Sequence, residues 1–207
     1  MIPYQPKHFN VAEHAHALAV MRAHPFATLV SVRDGEPQCS HVPLVAREVD
    51  GGIVLLGHVA KANPHWQLWE GGAPVIAIFH GPDAYISPSL YVTRESVPTW
   101  NYVVVHAHGT ASVTHDTLAK ERILKALIDQ HDAPYRAYWD TELSEEYRER
   151  HKGHIVGFEI RVTRLEGKFK VSQNRLPADR AGVLAAMQSG DAAARELGAW
   201  MQRLMPS

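Results

Sequence analysis

The sequence predicts an α+β protein built around an antiparallel barrel. Three observations carry this. Runs rich in β-formers follow one another with hairpin chemistry between them, most clearly at Asp34-Gly35. Strands and helices do not alternate along the chain, which argues against a parallel, doubly wound sheet. Helical patterns are confined to the two ends and a few connections.

The opening NVAEHAHALAVMRAHP reads as a helix. Asn10 can cap it, Glu13 stands three residues on as in a capping box, and Val11, Ala15, Leu18 and Arg22 keep helical spacing until Pro25. FATLVSVRDGEPQCSHVPLVARE then reads as two β-runs about a turn. GGIVLLGHV and APVIAIFHG are apolar strands of a buried sheet, with a short helix after Asn63-Pro64 between them. A long strand is expected from Tyr102 to about Thr114. Asp116 or Thr117 can cap the next helix, whose apolar face is Leu124, Leu127 and Ile128. A polar connection follows, and HIVGFEIRVTRLEGKFKVSQN reads as a strand pair. At the C-terminal end Pro177 suits a first helical turn, Gly190 breaks the helix and Asp191 restarts it. Leu197, Trp200, Met201 and Leu204 then share a face. The expected organisation is a barrel domain over 1–175 with inserted helices, and a helical segment over 176–207 packed on it.

With 207 residues the chain can bury a core unaided. Its 21 basic residues against 22 acidic ones give no bulk reason to bind nucleic acid or a membrane surface. A single cysteine, Cys39, excludes an intrachain disulfide and a cysteine-cluster metal site. Pro3, Lys7 and His8 stand where a secretory leader would be apolar, and no apolar run spans a bilayer. A cytoplasmic protein is expected.

Four stretches can carry chemistry. In GHVAKANPHW, Asn63 and Pro64 open a helix beside the strand end that bears His58, and Lys61 adds a full positive charge; a phosphate monoester suits such a place, as does a plain connection with a solvated lysine. In FATLVSV and SHVPL, Thr28 leaves room for a flat group, and Ser40 and His41 precede Val42-Pro43, where proline implies a sheet edge or bulge. VPTWNYVVVHAHG sets Trp100, Asn101 and Tyr102 beside a proline and puts His106 and His108 on one strand face. No third ligand stands at a recognisable spacing among the 14 histidines, so no metal is expected. Around RLEGKFKVSQNR, from 161 to 180, Arg161, Arg164, Lys168, Lys170, Arg175 and Arg180 face only Glu166 and Asp179, a pattern that fits an anion, a partner or water.

Taken together, HPFATLVS, SHVPL, GHVAKANPHW, FHGPDAYISPSLY, VPTWNY, HAHG and RLEGKFKVSQNRLPADRAGV resemble the PaiB-type family of FMN-binding split barrels, often described as negative transcriptional regulators. The match runs in order from about Pro6 to Val183. It departs from the family at Leu90, where tryptophan is usual, and in VTRES. The resemblance implies a six-stranded split β-barrel, a homodimer, and FMN in the cleft between subunits. It implies a phosphate cradle of Lys61, Asn63 and His58, and a flavin ring lying by Thr28 with Ser40, His41 and Pro43 along its edge. Trp100, Asn101, Gln173 and Asn174 become candidates for ring or ribityl contacts.

Two functional classes follow from this. One is a flavin-binding regulator acting indirectly, since neutral charge and the lack of a helix-turn-helix pattern stand against direct DNA binding. The other is an FMN-dependent oxidoreductase acting on a small molecule, with His41 or Tyr102 as a guess at the proton donor. A haem-binding barrel using His106 or His108, and a cofactor-free scaffold, rank below both.

Overall fold

The computed structural model describes Phe9 and residues 14–205; Asn10, Val11 and Glu13, read as the start and cap of the first helix, lie outside the described residues. In order the chain forms α1 (His14–Ala23), β1 (Phe26–Arg33), β2 (Glu36–Pro43), β3 (Val45–Val49), β4 (Gly52–Ala60), α2 (His65–Glu70) and β5 (Pro74–Ile86). A 3-10 turn (Pro88–Leu90) precedes β6 (Thr99–Thr114), α3 (Thr117–His131), α4 (Tyr135–Thr141), α5 (Glu145–Lys152), β7 (Ile155–Lys170), α6 (Pro177–Ser189) and α7 (Ala192–Leu204). The seven strands make one antiparallel sheet in the order β2-β1-β5-β6-β7-β4-β3.

Seven strands replace the six expected, and the reason lies at Pro43-Leu44. Residues 36–48 read as one β-run, but Leu44 lies between two strands, its N–H donating to the carbonyl of Pro25, just before β1, at 2.9 Å. The run before that break pairs with β1, and the run after it pairs with β4. One stretch of chain therefore supplies both outer strands of the order. The turns are built as their residues demand. Asp34 and Gly35 sit at φ 53° and 85°, and Asp50 and Gly51 repeat the device at 51° and 76°. A second correction concerns 155–170, read as a strand pair. It is one continuous strand, with Gly167 extended and buried inside it, not turning. The polar connection before it holds the short helices α4 and α5.

The described residues fall into two compact units. One comprises Met21–Phe79 and His106–Leu165. Its core is Leu29, Leu44, Leu55, Leu68, Trp69, Phe79, Phe158 and Ile160. Full burial of each large apolar side chain is worth about 1.5–3 kcal/mol. Asp116 caps α3, its Oδ1 accepting the Ala119 N–H at 2.7 Å. The helix buries Ile123, Ala126 and Leu127, so Leu124 and Ile128 of the expected face lie at its margin, half-buried. Two glycines set strand spacing here. A Cβ on Gly57 would stand 2.7 Å from both Leu44 Cδ2 and Phe158 Cζ. One on Gly109 would overlap the Arg161 carbonyl oxygen and lie 2.9 Å from Ile160 Cγ2.

The other unit comprises the described part of Met1–Val20, with His80–Val105 and Glu166–Ser207. Its core includes Ile86, Val103, Val105, Phe169, Val183, Leu197 and Met201, with Trp200 edge-on to Phe169 at 4.9 Å. Pro177 opens α6, and Asp191 caps α7 through a 2.9 Å bond from the Ala194 N–H, as read from the sequence. Between the 3-10 turn and β6 runs an irregular loop fastened by side chains. The Asp179 Oδ1 accepts the Val92 and Thr93 N–H groups at 2.8 and 3.0 Å, and its Oδ2 accepts the Thr93 hydroxyl at 2.8 Å. The Arg175 guanidinium covers the Tyr91 ring at 4.2 Å, and a Cβ on Gly182 would overlap the Leu90 carbonyl oxygen.

These bonds, led by the one from the Thr93 N–H, hold the Asp179 carboxyl below the usual carboxylate range. A depressed folded pKa gives stabilisation that is complete above the unfolded value, about 4, and lost as pH falls through the folded one. The Val92 and Thr93 amide resonances are therefore expected to shift on acidification below about pH 4, and this response should vanish in Asp179→Asn.

Candidate functional site

The stretch 57–66 closes β4 and turns into α2. Lys61 is anchored on both sides through its backbone. Its N–H donates to the His154 carbonyl at 2.8 Å, and its own carbonyl accepts the Trp66 indole N–H at 3.1 Å. The ammonium itself is exposed and has no hydrogen bond or ion pair to any described residue. Pro64 takes helical dihedrals (φ −72°, ψ −5°) one residue before α2. Asn63 does the capping, its Oδ1 accepting the His65 N–H at 3.0 Å.

His58 precedes this turn on β4, opposite Gly157 of β7. Its Nδ1 is buried without a hydrogen-bond partner, and burial lowers its pKa, so the ring is neutral near pH 7. Gly157 leaves space for α3: a Cβ there would meet Ile123 Cδ1 and Thr114 Cγ2, both at 2.9 Å, and Lys120 Cγ at 3.3 Å. Lys120 is buried, and its ammonium donates to the Lys152 carbonyl at 2.7 Å. Burial lowers its pKa first and the charge of Lys61 next; Lys152 lowers it further, while Glu149 and Asp116 act the other way. Sequence reasoning missed Lys120, because its spacing on α3 matches any solvated lysine.

On β1 and β2 the strand pleat sorts the candidates. Thr28 lies opposite His41 in register, and the Thr28 hydroxyl meets His41 Nδ1 at 3.1 Å on the open face. Pro43 shares that parity. Ser40 has the opposite parity and is buried. Its Oγ accepts the Asn63 amide at 2.9 Å and meets the His65 Nδ1 at 2.9 Å. The structure thus joins Ser40 to Asn63 across 23 residues of sequence. It does not put the Ser40 hydroxyl beside His41 and Pro43.

The remaining candidates belong to the second unit. Trp100 is 53% exposed, with Tyr85 edge-on at 6.0 Å, and lines a cleft of about 360 Å³ with His80, Asp83 and Tyr102. Asn101 is 1% exposed, and its amide donates to the Ser172 hydroxyl at 2.8 Å. Gln173 folds back on its own turn, accepting the Val171 N–H at 2.8 Å and donating to the Phe169 carbonyl. Asn174 is exposed. The basic cluster does not form a free stripe. Arg164 meets His108 at 3.0 Å, Lys168 lies over Tyr102, Lys170 bonds Thr99, Arg175 covers Tyr91 and Arg180 reaches Met205. Since arginine only donates, His108 Nδ1 accepts; burial and then Arg164 lower its pKa.

The structure is an α+β fold with a single seven-stranded antiparallel sheet. Residues 3–164 match the family described as "Putative FMN-binding domain", and the chain belongs to that FMN-binding family, of the PaiB type. FMN is the cofactor of the family. The chain is 38% identical over 189 residues to the Protease synthase and sporulation protein PAI 2 of Bacillus subtilis, covering 90% of this chain and 89% of that one. It is 32% identical over 189 residues to the Uncharacterized protein AN0679 of Emericella nidulans, covering 73% and 75%. Among solved structures the FAD and heme binding protein from Mycobacterium smegmatis matches with TM-score 0.59 and 20% identity over 78% of this chain and 73% of that one. The flavocytochrome Anf3 from Azotobacter vinelandii matches with TM-score 0.61 and 15% identity over 78% and 69%. These two establish kinship of fold. No helix among the described residues is long and apolar enough to cross a membrane.

Proposed function

We propose that the chain binds FMN at the end of β4, with Lys61 holding the phosphate, and works as a cytoplasmic homodimer with an indirect regulatory role. The observation that carries the site is the exposed Lys61 ammonium, anchored through its backbone and without a hydrogen bond or ion pair to any described residue, three residues after His58, whose Nδ1 is buried with no partner. These groups fit a phosphate: Lys61 would supply a full charge and His58 a donor. Thr28, His41 and Pro43, on the open face of β1 and β2, would border the ring, while Ser40 and Asn63 would act by fixing the loop. Trp100 and Asn174 present their side chains to solvent, where a second copy can supply them to its partner's flavin; Asn101 and Gln173 would act by shaping the turn after β7. Bound FMN would supply one- and two-electron transfer. An indirect role is supported by the neutral chain and by the engagement of the basic side chains within the fold, which leaves little for neutralising DNA phosphates.

A second reading, an FMN-dependent oxidoreductase, is favoured by the aromatic cleft of about 360 Å³ at Trp100 and Tyr102, a seat of the right size for a small substrate. The visible spectrum of the purified protein, taken before and after FMN addition and gel filtration, tests the first reading. Retained flavin absorption is expected; a colourless protein that takes up no FMN would sink it. Anaerobic addition of NADH or NADPH to the loaded protein then tests the second. Bleaching supports an oxidoreductase, and an unchanged flavin spectrum with both leaves the regulatory reading.

A further inference from the structure

We propose that His65 is the positioning residue of the phosphate loop: through Ser40 it fixes the backbone of Lys61 against β2. The proposal rests on the reading of residues 57–66 given above. Three hydrogen bonds close a ring among β2, the loop and α2. Asn63 donates to the Ser40 Oγ at 2.9 Å, the same Oγ meets the His65 Nδ1 at 2.9 Å, and the His65 N–H returns to the Asn63 Oδ1 at 3.0 Å. On the other side of Lys61, its own N–H is tied to His154 of the chain entering β7. Lys61 thus lies between two fixed points, one on β7's approach and one on β2.

Packing alone does not account for the imidazole. His65 is 1% exposed, its ring lies 4.6 Å from that of Trp69, and Trp69 is itself held by Ser31 at 3.0 Å and by Phe158 at 4.8 Å. A leucine would fill such a place without leaving a buried polar atom, whereas His65 leaves its Nε2 buried with no partner. What histidine offers and leucine does not is the Nδ1 contact to Ser40. That contact can work with a neutral ring, and burial lowers the ring's pKa in that direction. Because successive β2 side chains face opposite ways, a latch at Ser40 also fixes Lys61 relative to His41 and Thr28 on the open face.

The test uses the full chain and two probes, FMN and riboflavin, which differ by the phosphate. Flavin fluorescence titrations would be run on wild type, His65→Leu, His65→Gln and Ser40→Ala. If the latch sets Lys61, the preference for FMN over riboflavin falls roughly tenfold in His65→Leu and Ser40→Ala, the lower end of the loss seen when the partners that orient a metal ligand are removed. It returns in His65→Gln, whose amide can reach Ser40. Adding His65→Leu to Lys61→Ala should change the preference little further. Amide exchange of the peptide 57–70 in flavin-free protein should rise in His65→Leu, with other peptides unchanged. An unchanged preference in His65→Leu and Ser40→Ala overturns the proposal. A wild type that does not prefer FMN overturns the phosphate reading instead; exchange at 57–70 then decides the latch, and equal exchange in His65→Leu and wild type overturns it.

Discussion

Gly109→Ala is expected to destabilise the protein by about 3 kcal/mol, which for a chain of this size lowers Tm by roughly 6–12 °C. The cause is local and cannot relax cheaply. The added methyl would occupy space held by the Arg161 carbonyl oxygen of β7 and press on Ile160 Cγ2 at 2.9 Å, so two strands must move apart. Gly57→Ala provides the comparison. Its methyl would meet the tips of Leu44 and Phe158, which are side chains that can turn, and about 1–2 kcal/mol is expected. Gly35→Ala meets nothing within 4 Å and carries only the strain of φ 85°, about 1 kcal/mol. Thermal unfolding followed by circular dichroism ranks the three. A Gly109→Ala protein that melts with wild type would mean that the β6–β7 spacing is not set by this contact.

Lys61→Ala is expected to weaken FMN binding by about 10- to 100-fold, the range for losing one charge-assisted bond to a phosphate at a partly solvated site. Riboflavin affinity should stay within about twofold, because the lost partner is the phosphate alone. Lys61→Arg should keep most of the affinity, and added salt should narrow the gap between wild type and Lys61→Ala. Isothermal titration with both flavins measures all of this. Equal losses for FMN and riboflavin would show that Lys61 supports the ring or the fold, not the phosphate.

Where chemistry was local, the sequence was a good guide. Asp34-Gly35, Asp116, Pro177 and Asp191 do what their backbone and capping preferences dictate, and α6 ends at Gly190. The turn of Lys61 and the capping by Asn63 were legible because charge, cap and proline fall within four residues. Long-range sorting was not visible. Gly167 punctuates many sequences, yet here neighbouring strands hold it extended through β7. Ser40 and His41 look equivalent in SHVPL, and only the register with β1 sends one inward and the other out. Asn101 reads as a ligand group beside Trp100, but its amide finds Ser172 across 71 residues. His65 passed as part of a short helix, since its partner Ser40 stands 25 residues away.

The fastening of the loop before β6 sets a schedule for synthesis. Thr93 must wait 86 residues for Asp179 to leave the ribosome, roughly 4–17 s at usual elongation rates. Until then only bonds within the loop, such as that from the Ser96 hydroxyl to the Thr93 carbonyl, act on this segment, whose valines at 92 and 97 are 73% and 70% exposed even in the finished fold. A nascent chain halted before α6 would carry this segment unsecured, open to chaperones and proteases. Release of the C-terminal helices from the ribosome therefore marks the moment when the loop becomes part of the protein.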